Sequence, residues 1–251
     1  MPYLFIQVTN HYIYQDMIKQ TDIVASINIK FLHSEYRFPE NDNDKISSIA
    51  TTFHTVQDNK PVCICQRILK NDTEPSNVHS SHSAAPHHIN DDELKLISDW
   101  IELIKEKKPK IIIGWYIFNL DYMFLRRRSI KLGIGTIFSE ELGYLDNSVF
   151  CCNLDNEKNR NYSIGKINKL DLMRYFMCQY ITTGRLEDAL NILDIPLPIY
   201  DKTNPDKYAI DLCLAYAEIF YKIKFIENNE AKINHMNYIK KMRSELTKQK
   251  S

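Results

Sequence analysis

The sequence predicts a mixed α/β fold, and three observations carry the prediction. Before residue 70 there are three strand-like runs, at 23–31, 46–56 and 62–69, rich in β-branched residues and partly alternating in polarity. A helix-patterned segment follows, with Leu94, Ile97, Ile101 and Ile104 at helical period and Trp100 and Leu103 widening the stripe. Then comes a short apolar run, Ile111 to Ile113, with Pro109 before it and Gly114 after it, which reads as a buried strand leading into a further helix. Strands joined by polar turns, then strands alternating with helices, imply a mixed sheet with flanking helices.

The chain has 251 residues, 44% hydrophobic and 25% charged, enough for one large domain with a real core. Its formal net charge is zero, so no global basic field announces a nucleic-acid partner, and local charge must carry any such role. No apolar run approaches the roughly 20 residues that span a bilayer, and the start, Met-Pro-Tyr-Leu-Phe-Ile, lacks a basic segment followed by a long apolar one. The expectation is an intracellular, soluble protein with no membrane partner. Six cysteines, at 63, 65, 151, 152, 178 and 213, form no Cys-x-x-Cys pair and read as reduced thiols.

Three regions are expected. Residues 1–20 form an extension with a strand at 4–8, residues 21–225 form the main domain, and residues 226–251 form a basic helix or tail. Within the main domain, 37–45 is a polar turn, and the second and third strands pair as an antiparallel meander. The segment 71–89 is polar, with His79, His82, His87 and His88. It lacks cysteines or acids at ligand spacing and reads as a flexible loop rather than a metal site. The next helix starts with Asn90 as N-cap, has Glu93 where a capping-box acid belongs, and stops at Pro109.

Asp121 lies at the C-terminal mouth of the 111–113 strand. A lone carboxylate there is either a catalytic acid or a helix N-cap, and spacing does not separate the two. The helix behind it, to Leu132, carries Arg126, Arg127, Arg128 and Lys131, a phosphate-binding cluster or a solvated face. Residues 143–161 are irregular, and 164–172 is strand-like with Asp171 near its end. Helical period returns at 173–180, 185–193 and 208–225.

Asp92-Glu93-Leu94, Trp100-Ile101, and then Pro109-Lys110-Ile111-Ile112-Ile113-Gly114-Trp115-Tyr116-Ile117-Phe118-Asn119-Leu120-Asp121 together resemble the second exonuclease motif of family B DNA polymerases. That motif reads Pro-Asp-Ile-Ile-x-Gly-Tyr-Asn-Ile-x-x-Phe-Asp. Lys110, Trp115 and Tyr116 depart from it, Tyr116 standing where the family usually has asparagine. Phe38-Pro39 with 44–50 resembles the stretch after the first motif. Residues 165–172 resemble the strand before the family's next helix, and 211–219 resemble the third-motif helix. The resemblance spans roughly residues 20 to 222 and includes nothing of the polymerase palm, fingers or thumb.

It implies a ribonuclease-H-like α/β fold, a mixed sheet with flanking helices, which in the family holds two divalent metals on converging carboxylates for 3′–5′ hydrolysis. Of the family's acids only Asp121 is kept. The first-motif pair aligns with Asn28 and Lys30, the third-motif acid with Tyr216 and its tyrosine with Leu212. One carboxylate does not hold two dications, and a lysine brings the wrong charge. The expectation is therefore a degenerate exonuclease domain with no metal or other cofactor, its site closed by a Lys30–Asp121 salt bridge. Its expected partners are single-stranded DNA and a DNA polymerase or replication subunit, with Tyr116, Phe118, Asn119, Arg126, Arg127 and Arg128 as nucleic-acid contacts. For the aromatics, core packing is the competing role. Two other readings remain: an active Mg²⁺- or Mn²⁺-dependent exonuclease or a polymerase fragment, and a protein-interaction scaffold.

Overall fold

The computed structural model describes residues 22–32, 44–57, 60–71, 91–143, 167–179 and 184–225. The 4–8 strand, the four histidines of the 71–89 loop, Asn90, Cys151, Cys152 and the 226–251 tail lie outside these residues. Strands β1 (Val24–Leu32), β2 (Lys45–Gln57) and β3 (Lys60–Lys70) form the expected meander, antiparallel from β1 to β2 and from β2 to β3. Helix α1 (Asp91–Lys107) leads to β4 (Ile111–Gly114), and α2 (Asp121–Lys131) and α3 (Gly135–Leu142) follow. β5 (Asn168–Asp171) continues directly into α4 (Leu172–Gln179), and α5 (Leu186–Ile192) and α6 (Pro205–Phe225) complete the described chain. Sequence reading left α3 out: it is one short helix that starts at a glycine and lacks a side-chain cap.

The strands lie in the order β3-β2-β1-β4-β5, with β4 parallel to both β1 and β5. Both faces of the sheet are covered. Ile111 and Ile113 point into a core shared with α4, α5 and α6, through Leu172, Phe176, Leu190, Ile219 and others. Ile112 points the other way, with Ala25, Ile27 and Ile29, into a core built on Trp100 and Ile104 of α1 and Phe124 of α2. Burial on both faces is why β4 is continuously apolar rather than alternating. None of the described helices is long and apolar enough to cross a membrane.

One detail of register sets up the site. β4 pairs with β1 only from Val24↔Ile111 to Ser26↔Ile113, whereas β1 runs on to Leu32. Beyond Ser26, the β4-side edge of β1 therefore faces the turn between β4 and α2.

Glu93 has partners well outside its own helix. Fully buried, it accepts the Ile46 N–H at 2.9 Å and the Arg128 Nε–H at 2.9 Å, and it also pairs with the Arg128 Nη2. This buried pair joins α1, α2 and the start of β2. Among the described cysteines, Cys63, Cys65 and Cys213 are free thiols, and Cys213 is buried.

Candidate functional site

Asp121 is the first residue of α2 and is only 3% exposed. Its Oδ1 accepts the N–H of Ile29 at 3.0 Å, on the stretch of β1 that β4 no longer reaches. The carboxylate thus satisfies a strand-edge donor that would otherwise be buried without a partner. Burial pushes the Asp121 carboxyl up to about 7, and the nearby Asp171 adds to the rise. The N–H groups of Ile29 and of Asp121 itself pull the other way and lose.

Asn28 and Lys30 flank Ile29 and, by strand alternation, point to the face opposite its side chain. On that face α6 packs across β1 and sets the Tyr216 phenol beside the Asn28 side chain. Tyr216 is 5% exposed, and burial, followed by the charge of Asp121, raises its phenol well above the usual range. Cys213, one turn earlier, is also raised by burial and directs its Sγ to the Ala50 carbonyl at 3.6 Å. The expected Lys30–Asp121 salt bridge is not formed. Lys30 is exposed while Asp121 is buried against the Ile29 N–H, so the two charges do not meet. On α6, Asp206 pairs with Lys70 at 2.5 Å and Asp211 with Lys207 at 2.8 Å, so neither carboxylate serves the site.

The turn between β4 and α2 is organised by Asp171, whose role the sequence did not disclose. Its carboxylate accepts the N–H groups of Tyr116 at 3.1 Å, Phe118 at 3.3 Å and Arg174 at 3.3 Å. Arg174, a residue missed by sequence reading, lies with its Nε 3.7 Å from Asp171 Oδ2, and its Nη2 donates to Asn119 Oδ1 at 2.8 Å. Burial raises the Asp171 carboxyl in spite of these donors. A carboxylate at the junction of a strand and a helix was the available signal. Tyr116 adopts φ +63°, a left-handed conformation that asparagine tolerates far better than tyrosine, which gives a physical reason for the asparagine the family has there.

The other candidates separate. Tyr116 and Phe118 are half-buried, Phe118 against the Trp100 core, and Asn119 is exposed. Arg127 is exposed, and Arg126 is half-buried with its Nε lacking a hydrogen-bond partner. Arg128 is withdrawn from any phosphate surface: it is 2% exposed and held by Glu93. The helical turn that carries Arg127 outward carries Arg128 inward.

At this site a pair of divalent cations would meet one buried carboxyl, one amide and one phenol. That donor set does not fit two hard cations, which need several ionised oxygen ligands. Among the described residues no group of three His, Cys, Asp or Glu side chains is placed to hold a metal ion.

A five-stranded mixed sheet in this order, helices on both faces, and an acid where β4 turns into the next helix define an α/β fold of the ribonuclease-H-like exonuclease class. Residues 7–187 match the model of the DNA polymerase family B exonuclease domain, and the chain belongs to that family. No curated protein matches the chain. The match ends before α6, and the packing of α6 on β1 is what brings Tyr216 to the site.

Proposed function

We propose that this is an exonuclease-type domain that has lost 3′–5′ hydrolysis and serves DNA replication as a single-strand-binding module beside a polymerase or replication subunit. The observation that carries this reading is Asn28 and Tyr216 beside a buried Asp121 whose carboxyl burial raises to about 7. Two-metal hydrolysis requires converging negative oxygens to bind the cations, activate water and stabilise the leaving 3′ oxygen. Here two of the three groups, the Asn28 amide and the Tyr216 phenol, carry no charge, and the phenol ring fills the core side of the site. The turn with Tyr116 and Phe118 still offers aromatic faces of the kind on which bases stack.

Incubation of the full chain with a 5′-labelled single-stranded oligonucleotide in Mg²⁺ or Mn²⁺ tests the reading. The expected result is no shortening of the strand. Shortening that disappears in Asp121→Ala would overturn it.

A further inference from the structure

We infer that the single strand is held through its unpaired bases on the ring of Tyr116, and that Asp171 is the positioning residue that fixes this ring. The inference rests on the reading above and adds which part of the strand is recognised and what holds the recognising turn.

The turn between β4 and α2 carries Trp115, Tyr116 and Phe118, and two of these rings are committed to packing. Trp115 donates its Nε1–H to the Gly184 carbonyl at 3.2 Å and lies against Phe176, ring centroids 6.3 Å apart, beside the core shared with α4. Phe118 packs on the opposite core, the one built on Trp100. Tyr116 is half-buried and belongs to neither core. Its backbone nevertheless sits at φ +63°, a conformation that a bulky residue keeps only where the surroundings over-determine it. Core packing therefore does not account for a tyrosine ring at this strained position. A ring held still beside the end of a strand is what a flat ligand needs.

Asp171 supplies the over-determination. Buried at the end of β5, its carboxylate accepts the N–H of Tyr116 at 3.1 Å and the N–H of Phe118 at 3.3 Å. The Tyr116 carbonyl accepts the N–H groups of Asn119 at 3.1 Å and Leu120 at 3.0 Å, so Tyr116 is tied at both of its peptide groups. Arg174 acts by position as well: its Nη2 donates to Asn119 Oδ1 at 2.8 Å. That bond occupies the amide's acceptor and leaves its two N–H donors, at an exposed residue, for acceptors on a base edge. A phosphodiester offers no flat face to a phenol, and a duplex covers the faces of its bases by stacking. Aromatic ring and amide donor together select an unpaired base, with little preference among sequences.

Fluorescence anisotropy with the full chain in EDTA tests this, using a labelled oligothymidylate and an abasic deoxyribose-phosphate strand of the same length. The abasic strand should bind at least about tenfold more weakly, the scale of lost base stacking. Tyr116→Phe keeps the ring and should hold oligothymidylate affinity within about twofold, whereas Tyr116→Asn should lose about tenfold without a fall in melting temperature. Asp171→Asn keeps one acceptor oxygen and turns an NH₂ toward backbone donors, which loosens the turn. It should weaken binding in the wild type and add nothing in the Tyr116→Asn background; a residue that only supports the fold would cost the same in both. Asn119→Ala, at an exposed residue, should weaken binding several-fold and reports on the turn if Asp171→Asn fails to fold. Equal affinity for the two strands, or unchanged affinity in Tyr116→Asn, would overturn the inference alone and leave single-strand binding standing. Equal losses from Asp171→Asn in the two backgrounds would overturn its positioning role. No binding of either strand would sink the reading of the preceding section together with this one.

Discussion

Asp121 carries a titration that runs against the usual behaviour of an acid. Its folded-state carboxyl is near 7 against an ordinary 3.8, so between those values the folded chain holds a proton that the unfolded chain has released. Its stabilising contribution is complete below pH 3.8 and is lost as pH rises through 7. Asn at this position keeps an acceptor for the Ile29 N–H and removes the buried charge. Asp121→Asn should therefore raise unfolding stability by on the order of a few kcal/mol at pH 8 and much less at pH 5, measured by urea denaturation. His54 works in the opposite sense. Buried beside Thr52, with Nε2 and Oγ1 2.8 Å apart, it is lowered from 6.5 to about 4, so its contribution is present above pH 6.5 and lost as pH falls through 4. The two slopes oppose each other between about pH 4 and 6.5 in the wild type. In Asp121→Asn the His54 slope is uncovered, and stability should rise with pH across that window. A variant that is less stable at pH 8 would show that Asp121 is held as a needed anion. Tyr116 gives a second prediction at this scale. Left-handed backbone costs a tyrosine about 1 kcal/mol more than an asparagine, so Tyr116→Asn should raise the melting temperature slightly, less whatever ring contact is lost.

At the scale of elements, the Glu93–Arg128 pair holds α1 to α2 and to the first residues of β2. Removing one partner strands the other charge in the core. Glu93→Ala should lower stability by about 3–5 kcal/mol in chemical denaturation, and a loss below about 1 kcal/mol would show that the pair adds little. The same pair marks where the sequence stopped being legible. All five strands of the main sheet were readable from β-branched content and bounding turns, as was every long helix from its apolar stripe. The partners of Glu93 were not, because Ile46 and Arg128 lie 47 and 35 residues away and no periodicity encodes that pairing. Three consecutive arginines read as one basic surface, although helical rotation sends Arg127 to solvent and Arg128 to Glu93. The roles of Asp171 and Arg174 were hidden for a related reason: their partners, the Tyr116 and Phe118 N–H groups and the Asn119 side chain, lie on a turn some 55 residues earlier. The Asn28 and Tyr216 positions were found because a family motif fixes their register, whereas Asp121 was already marked by its place between a buried strand and a helix.

Across the whole molecule, the fold is indifferent to the missing carboxylates. Two apolar cores, one on each face of the sheet, position β1, β4 and α6 through Ile27, Ile112, Phe176 and Ile219, none of which belongs to the polar cluster. Tyr216 even joins one of the cores, so replacing an acid there adds apolar packing to the scaffold. Concentrated negative charge is stable in such a site only when cations are bound, and neutral replacements remove that condition. We propose that this sheet carries an exonuclease framework in which a buried polar cluster has taken the place of the cation site. Titration of the full chain with Mn²⁺ by calorimetry tests it most directly, with Asp121→Ala as the matched comparison. The account predicts no saturable binding that distinguishes the two proteins. Saturable Mn²⁺ binding by the wild type that Asp121→Ala abolishes would contradict it.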